Sequence, residues 1–223
     1  IVINLAGEGI ADHRWTMHRQ SILHDSRVGV TNRLADRLEV LGGFPELVIS
    51  GSAVGYYGSV ELGSCDEGAP IGDDFSATLC RDWEVAAKRL INDQSLLYIL
   101  RIGVVMGSSG GFLGRLKTPF SFGLGGSLGH GRQMLSWIHK DDLIAMIMWM
   151  LKERPFAGTY NATSPEPVSN QEFTQTFAEI LNRPAFLRVP ETPIRLILGD
   201  MANLLFQGQA ALPKRALKEG FSF

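Results

Sequence analysis

The sequence predicts an α/β fold with a mainly parallel sheet, and two observations carry this prediction. Short apolar runs alternate along the chain with segments of helical spacing, which is the order of repeated βα units. The first runs also stop at small residues, as buried parallel strands do where they enter a turn. Folds of this kind bind ligands beyond the carboxyl ends of their strands.

The first half of the chain supplies three predicted strands and two predicted helices. Strands are predicted at residues 1–5, 47–49 and 96–105, and helices at residues 16–40 and 75–90. The first strand breaks at Ala6 and Gly7, and the second ends in Ser50, Gly51 and Ser52. Because carboxyl ends of parallel strands meet at one edge of a sheet, these residues and Gly103 are predicted to share one rim.

The second half begins with a glycine-rich segment, residues 107–131, which is predicted to be a mobile loop on the substrate side. A helix over residues 141–152, a strand over residues 158–162 and a helix over residues 169–181 follow. Ser169 and Glu172 have the spacing of a capping box at the start of that helix. The tail after Pro184 is predicted to add a small lobe.

Composition and charge exclude several classes of function. The net charge is −2 without a run rich in Lys or Arg, so no nucleic-acid partner is predicted. Cys65 and Cys80 are too few for a disulfide framework, and no histidine spacing suggests a metal site. No apolar run approaches the roughly 20 residues of a membrane span. These features predict a cytoplasmic protein that contacts no membrane and acts on a small molecule.

Three strings in the sequence resemble motifs of the extended short-chain dehydrogenases: NLAG at residues 4–7, SGSAVGYYG at 50–58 and SWIHKDDL at 136–143. Further strings are similar to the YfcH-like epimerase family of that superfamily, namely RWT at 14–16, DSR at 25–27, CRDWE at 80–84, GRQ at 131–133 and NATSPEPV at 161–168. The resemblance covers essentially the whole chain. It implies a Rossmann-like sheet with a small C-terminal substrate lobe.

The resemblance also implies a division of the chain and a cofactor. An NAD(P)-binding domain is expected at residues 1–107 and about 133–162, and the substrate side at about 108–132 and 163–223. NADP is the expected cofactor, although NAD is not excluded. No G-x-G-x-x-G turn follows a first strand, and the chain starts inside an apolar run, so we expect an N-terminal βα unit to be missing.

The resemblance assigns cofactor contacts to eight residues at the predicted strand ends. They are Leu5, Ala6, Gly7, Ser50, Gly51, Arg101, Gly103 and Val104. Two of these assignments have alternatives based on local structure alone. Residues 4–7 have the composition of an ordinary tight turn, and Arg101 could instead make structural hydrogen bonds at a strand end.

The catalytic residues are where this sequence departs from the superfamily. By resemblance Ser52 hydrogen-bonds the substrate oxygen, with an ordinary turn serine as the alternative. Working members also carry a Tyr-x-x-x-Lys pair whose phenol moves a proton with each hydride. Alignment on Glu84 puts Ser76 and Cys80 at those two positions, and residues 75–87 contain neither Tyr nor Lys.

Three replacements for the missing acid are conceivable. A phenol from Tyr56 or Tyr57, a thiol from Cys80, or a charged pair of Arg81 and Glu84 could serve. Cys80 would need a stabilised thiolate to react, and we favour its interpretation as a small buried hydrophobic residue.

Substrate contacts are predicted for Ser52, Tyr57 and Arg132. A guanidinium at Arg132 could hold a phosphate or carboxylate through two parallel hydrogen bonds, with an exposed loop arginine as the alternative. His139 belongs by resemblance to a pattern that starts a helix, with an Asp as its cap, and is not expected to be catalytic.

Two hypotheses about function follow from the sequence. The first is an NAD(P)-dependent epimerase, dehydratase-like protein or oxidoreductase acting on a carbonyl, hydroxyl or sugar-nucleotide substrate. The second is a non-catalytic NADP-binding sensor that has lost the Tyr and Lys. Homodimerisation is compatible with either, although no interface pattern predicts it.

Overall fold

The computed structural model describes residues 1–108 and 110–223. Its strands are β1 Val2–Asn4, β2 Leu47–Ala53, β3 Leu96–Ile102, β4 Val104–Met106, β5 Gly126–Leu128, β6 Met134–Leu135, β7 Trp137–His139, β8 Gly158–Ala162, β9 Val168–Ser169 and β10 Leu187–Val189. The central sheet is parallel throughout and has the order β1-β2-β3-β8. The Rossmann-like, mainly parallel sheet is therefore confirmed.

The helices cover both faces of this sheet and the region beyond it. They are α1 Met17–His24, α2 Val30–Leu41, α3 Phe75–Ala87, α4 Gly111–Ser121, α5 Lys140–Glu153, α6 Asn170–Ile180, α7 Glu191–Leu198, α8 Asn203–Phe206 and α9 Lys214–Lys218. A π-helical segment, Asp25–Gly29, joins α1 to α2 within the predicted helix of residues 16–40. None of the helices in residues 1–108 and 110–223 is long and apolar enough to cross a membrane.

Alternation along the central strands divides the core into two layers. Leu47 and Ile49 of β2 face one side, where they pack with Met146 and Met150 of α5. Val48 of the same strand faces the other side and packs with Ala35 of α2. Because helices cover both faces, the strands are apolar at successive positions, which is why they appear in the sequence as continuous apolar runs.

The predicted strand of residues 96–105 is divided at Gly103 into β3 and β4. Whereas β3 stays in the central sheet, β4 pairs with β7 in a separate two-stranded sheet. A Cβ atom at residue 103 would lie 2.6 Å from the carbonyl oxygen of Ser136. A glycine is thus required where the chain leaves the sheet and passes close to another backbone segment.

The prediction of a loop over the whole of residues 107–131 is wrong for the described part of that segment. Helix α4 and strand β5 both lie within it. The side chain of Phe120 is buried, and its ring centroid lies 5.0 Å from that of Phe177 on α6. Tertiary packing of such aromatic residues overrides the low helix propensity of the neighbouring glycines.

The C-terminal segment combines a small lobe with a return to the main core. Strand β10 pairs with β5, and β9 pairs with β6. Residues after 163 therefore form two small sheets with strands from the segment between β4 and β7. Beyond them, Ala216 of α9 and Phe221 pack in the same core layer as Leu47 and Ile49. The last residues therefore stabilise the central sheet.

The capping box predicted at the start of α6 is confirmed, because Ser169 and Glu172 each accept from the other's backbone N–H. Replacing Ser169 with Ala is expected to lower the free energy of unfolding by about 1 kcal/mol, since a helix N–H loses its partner. Chemical denaturation measures this. The control is Gln175→Ala on the exposed face of the same helix, and an equal loss in both variants would contradict the capping role.

Candidate functional site

A cavity of about 400 Å³ lies beyond the carboxyl ends of β2 and β3. This volume falls within the roughly 300–1,000 Å³ of small-molecule sites. Ser52 and Ala53 at the end of β2 line one part of it, and Ile102, Gly103 and Val104 line another. The cavity thus occupies the rim at which ligands bind in open parallel sheets.

Helix α3 and the C-terminal segment complete the walls. Four residues of α3 line the cavity because they lie on its inward face: Ser76, Leu79, Cys80 and Trp83. The opposite wall is formed by residues after α7 and includes Leu204, Gln207 and Gly208. Helix α3, on which the resemblance led us to expect Tyr and Lys, therefore lies against the cavity, with Ser76 and Cys80 facing it.

Ser52 is held in this cavity by a buried carboxylate. Its Oγ donates to Oε1 of Glu84 over 2.8 Å, and Ser52 is only 3% exposed. Glu84 lies on α3, one helical turn beyond Cys80. The rotamer of Ser52 is consequently determined by a partner 32 positions away in the sequence.

Glu84 is in turn paired with Arg101 of β3. Nε and Nη2 of Arg101 donate to the two carboxylate oxygens over 2.8 and 2.9 Å, in a parallel two-bond arrangement. Burial opposes the charge on the guanidinium, but the bonds to Glu84 raise the pKa of Arg101 above its usual value. Arg101 was predicted to contact the cofactor, with structural hydrogen bonds at a strand end as the alternative. Its guanidinium points at Glu84, which agrees with the structural alternative.

Tyr57 belongs to the same buried network and does not line the cavity. Its hydroxyl donates to Oδ1 of Asn161 over 2.6 Å and accepts from Nη1 of Arg101 over 3.1 Å. Burial raises the pKa of Tyr57 to about 12. The structure places this predicted substrate residue in the interior, with its phenol bonded to two protein groups.

Cys80 lines the cavity but is not activated. Burial raises the pKa of its thiol to about 11, so the thiol is protonated at neutral pH. Only 5% of the residue is exposed. This geometry fits the small buried hydrophobic residue that we favoured, and it lacks the stabilised thiolate that a nucleophilic cysteine needs.

Arg27, in the π-helical segment, is a cavity residue to which the sequence analysis gave no role. Its Nη2 donates to the carbonyl oxygen of Glu8 over 2.8 Å, and its Cζ lies 5.5 Å from the ring centroid of Trp83. Burial lowers the pKa of Arg27, although a guanidinium remains charged at neutral pH. The DSR string at residues 25–27 was the available signal.

The other residues predicted to contact a cofactor lie in different surroundings, and only Gly7 is shown beside Arg27. Leu5, Ala6 and Gly7 are exposed at the end of β1, and a Cβ at residue 7 would lie 2.9 Å from Cζ of Arg27. A Cβ at Gly51 would lie 3.0 Å from the Trp83 ring. Ser50 is fully buried and does not line the cavity, whereas Gly103 and Val104 do.

Arg132 lies in a second cavity of about 540 Å³ next to the first. The two cavities share Met134, Gln207 and Gly208 in their walls. Arg132 is exposed, and Glu191 and Arg195 of α7 line the same cavity. The structure therefore separates the predicted substrate residues into three environments, with Ser52 in the first cavity, Arg132 in the second and Tyr57 in the interior.

His139 caps helix α5 itself, which corrects the expectation of an Asp cap. Its Nδ1 accepts from the backbone N–H of Asp141 over 3.3 Å. Asp141 and Asp142 lie in the first turn of α5, where their negative charge interacts favourably with the positive end of the helix dipole. Within residues 1–108 and 110–223, no group of three or more His, Cys, Asp or Glu side chains could hold a metal ion.

Known proteins match this chain over its full length, whereas one family model matches only its end. That model is described as a domain of unknown function (DUF1731) and matches residues 189–223. A chloroplastic epimerase family protein SDR39U1 homolog of Arabidopsis thaliana is 38% identical over 100% of this chain and 64% of its own length. An epimerase family protein of Mycobacterium tuberculosis is 37% identical over 100% of this chain and 73% of its own length. This chain thus spans about two thirds to three quarters of these relatives.

Two solved structures also match this chain over almost its whole length. The crystal structure of human epimerase family protein SDR39U1 with NADPH superposes with a TM-score of 0.92 at 35% identity, covering 99% of this chain and 76% of that one. A nucleoside-diphosphate sugar epimerase of Corynebacterium glutamicum superposes with a TM-score of 0.76 at 30% identity, covering 100% of this chain and 43% of that one. This chain therefore shares its fold with both of these proteins.

Proposed function

This chain belongs to the epimerase family that includes SDR39U1, an atypical group of extended short-chain dehydrogenases, and on that premise we propose that it binds NADP(H) along the rim beside Ser52. Its substrate would be a small hydroxyl or carbonyl compound, sugar nucleotides included. The observation that carries this proposal is the cavity at the ends of β2 and β3, which Ser52, Gly103 and Val104 line together.

The residues of the rim fit a dinucleotide. Gly7 and Gly51 lack Cβ atoms, which lets the side chains of Arg27 and Trp83, both in the cavity wall, pack closely against the backbone at the ends of β1 and β2. Ile102 and Val104 offer an apolar surface inside the cavity. A bound nicotinamide supplies or accepts a hydride. The chain's own contribution is to orient the substrate through Ser52 and to place the positive charge of Arg27 near an anionic group.

We assign the substrate side to residues of about 108–132 and 163–223. The second cavity supports this assignment, because Arg132 and α7 line it and because it shares three wall residues with the first cavity. A substrate with its reacting carbon near Ser52 could extend past Gln207 toward Arg132. The guanidinium would then meet a phosphate or carboxylate.

A non-catalytic binding protein is the second candidate, and the residues that stand in place of Tyr and Lys are the reason to consider it. The two side chains in place of Tyr and Lys are a serine and a thiol with a pKa raised by burial to about 11. Neither supplies the acid and base that move a proton with each hydride. Retained cofactor binding without turnover would match such a cavity.

The test is a titration of the protein with NADPH and, separately, NADH, followed by nucleotide fluorescence. We expect saturable binding of NADPH, with NADH binding more weakly. Oxidation of NADPH by a panel of carbonyl compounds is then measured, together with reduction of NADP⁺ by the corresponding alcohols. Turnover supports the enzyme, binding without turnover supports the binding protein, and the absence of binding to either nucleotide would overturn the proposal.

A further inference from the structure

The single hydrogen of the Ser52 hydroxyl is committed to Glu84. A carboxylate that receives two hydrogen bonds from Arg101 is ionised and has no hydrogen to donate. In the 2.8 Å contact between Ser52 Oγ and Glu84 Oε1, the serine must therefore be the donor. Charge-assisted bonds of this kind are about twice as strong as neutral ones, so a neutral ligand oxygen competes poorly for that hydrogen.

Toward a ligand in the cavity, the Ser52 hydroxyl therefore acts as a hydrogen-bond acceptor. A serine oxygen has two acceptor sites in addition to its one hydrogen. Cys80, in the same wall, is a protonated thiol and a weak donor at most, whereas Ser76 and Trp83 carry a hydroxyl and an indole N–H, so the acceptor character belongs to Ser52 itself and not to the whole cavity. Tyr57, the nearest phenol in this network, donates its hydrogen to Asn161 and lies outside the cavity wall.

We propose that this cavity selects ligands that place a hydrogen-bond donor, a hydroxyl or an amine, opposite Ser52. A carbonyl oxygen in that position would bring two acceptors together, with no hydrogen between them. Repulsive arrangements of this kind discriminate between ligands of the same shape. The inference rests on the proposed function, because it concerns the substrate of the same cavity, and it specifies that the substrate is bound as an alcohol or amine.

Matched pairs of small probes test this preference directly. Cyclohexanol and cyclohexanone, and cyclopentanol and cyclopentanone, share a ring of the same size, and only the alcohol of each pair has a hydrogen-bond donor. Each is titrated into the protein without nucleotide and again with NADPH, and the backbone amide signals of the cavity residues are followed by NMR. We expect the dissociation constant of each alcohol to be at least about tenfold lower than that of its ketone.

Three variants assign the preference to Ser52. Ser52→Ala is expected to abolish the difference between alcohol and ketone, and Ser52→Thr, which keeps the hydroxyl, to retain it. Ser59→Ala makes the same chemical change in the second cavity and should leave the difference intact. The amide spectrum of each variant reports whether the fold is preserved.

The outcomes that overturn the proposal differ from those that overturn cofactor binding. Equal affinity within a pair, a preference for the ketone, no saturable binding of either alcohol, or a preference that persists in Ser52→Ala would each refute it. Failure to bind NADPH refutes the proposed function instead. The titrations without nucleotide keep the two results separate.

Discussion

Replacing Glu84 with Ala is expected to lower the free energy of unfolding by about 3–5 kcal/mol, the largest effect of any substitution considered for this protein. The side chains of Arg101 and Glu84 are 5% and 10% exposed. Without the carboxylate, a charged guanidinium is left in the interior with uncharged partners: the Tyr57 hydroxyl, the Tyr56 ring and the carbonyl oxygen of Glu67. Urea or thermal unfolding measures the loss.

An exposed ion pair is the matched control, and it shows whether the loss of stability in Glu84→Ala depends on the burial of the pair. Arg33 and Asp25 form an ion pair on the surface, with side chains 60% and 65% exposed. Asp25→Ala is expected to leave the free energy of unfolding nearly unchanged, since water solvates the remaining charge. A double variant, Glu84→Leu with Arg101→Met, should be more stable than Glu84→Ala alone. If Glu84→Ala and Asp25→Ala behaved alike, the buried pair would not have the role inferred here.

Replacing Arg27 with Ala is expected to weaken NADPH binding about 10- to 100-fold. Hydrogen bonds to charged groups contribute about 1.5–3 kcal/mol, and each 1.4 kcal/mol is a factor of ten in affinity. Arg27 lines the cavity and brings positive charge to it, so its guanidinium is the group that a phosphate of the nucleotide would meet. The measurement is the fluorescence titration with NADPH, at fixed ionic strength because charged contacts are screened by salt.

Arg27 also makes structural contacts with its neighbours, so the change in NADPH affinity is compared with that of two control variants. Its Nη1 donates to the carbonyl oxygen of Leu23 and its guanidinium lies over Trp83. Arg27→Lys keeps the charge and should lose less affinity than Arg27→Ala. Arg33→Ala removes an exposed arginine from the neighbouring helix and should leave binding unchanged. Equal weakening by all three variants, or none by Arg27→Ala, would exclude a phosphate contact at Arg27.

Residues that sequence reasoning could place are those defined by local patterns. The apolar runs identified the strands of the central sheet, because strands buried on both faces are apolar at successive positions. The spacing of Ser169 and Glu172 identified the cap of α6, because both partners lie within one helical turn. The lack of Tyr and Lys over residues 75–87 was likewise visible without a structure, since it depends only on which residues are present.

Residues that only the tertiary structure could place depend on partners far away in the chain. The sequence left Arg101 open between a cofactor contact and a structural role, and the direction of its side chain was decided by Glu84, 17 positions earlier. Tyr57 was drawn inward by Asn161, 104 positions later. Helix α4 forms because its aromatic residues pack on α6, although glycines dominate its local pattern.

The sequence by itself determined the alternation of strands and helices in the central sheet, the family, and the lack of Tyr and Lys over residues 75–87, since periodicity and residue identity are properties of the chain alone. The tertiary structure decided which side chains meet: Ser52 with Glu84, Arg27 with the cavity, and Arg132 with a second cavity. The physical reason is that hydrogen bonds and buried charges are satisfied by whatever groups the fold brings within about 3 Å, and sequence separation does not restrict that choice.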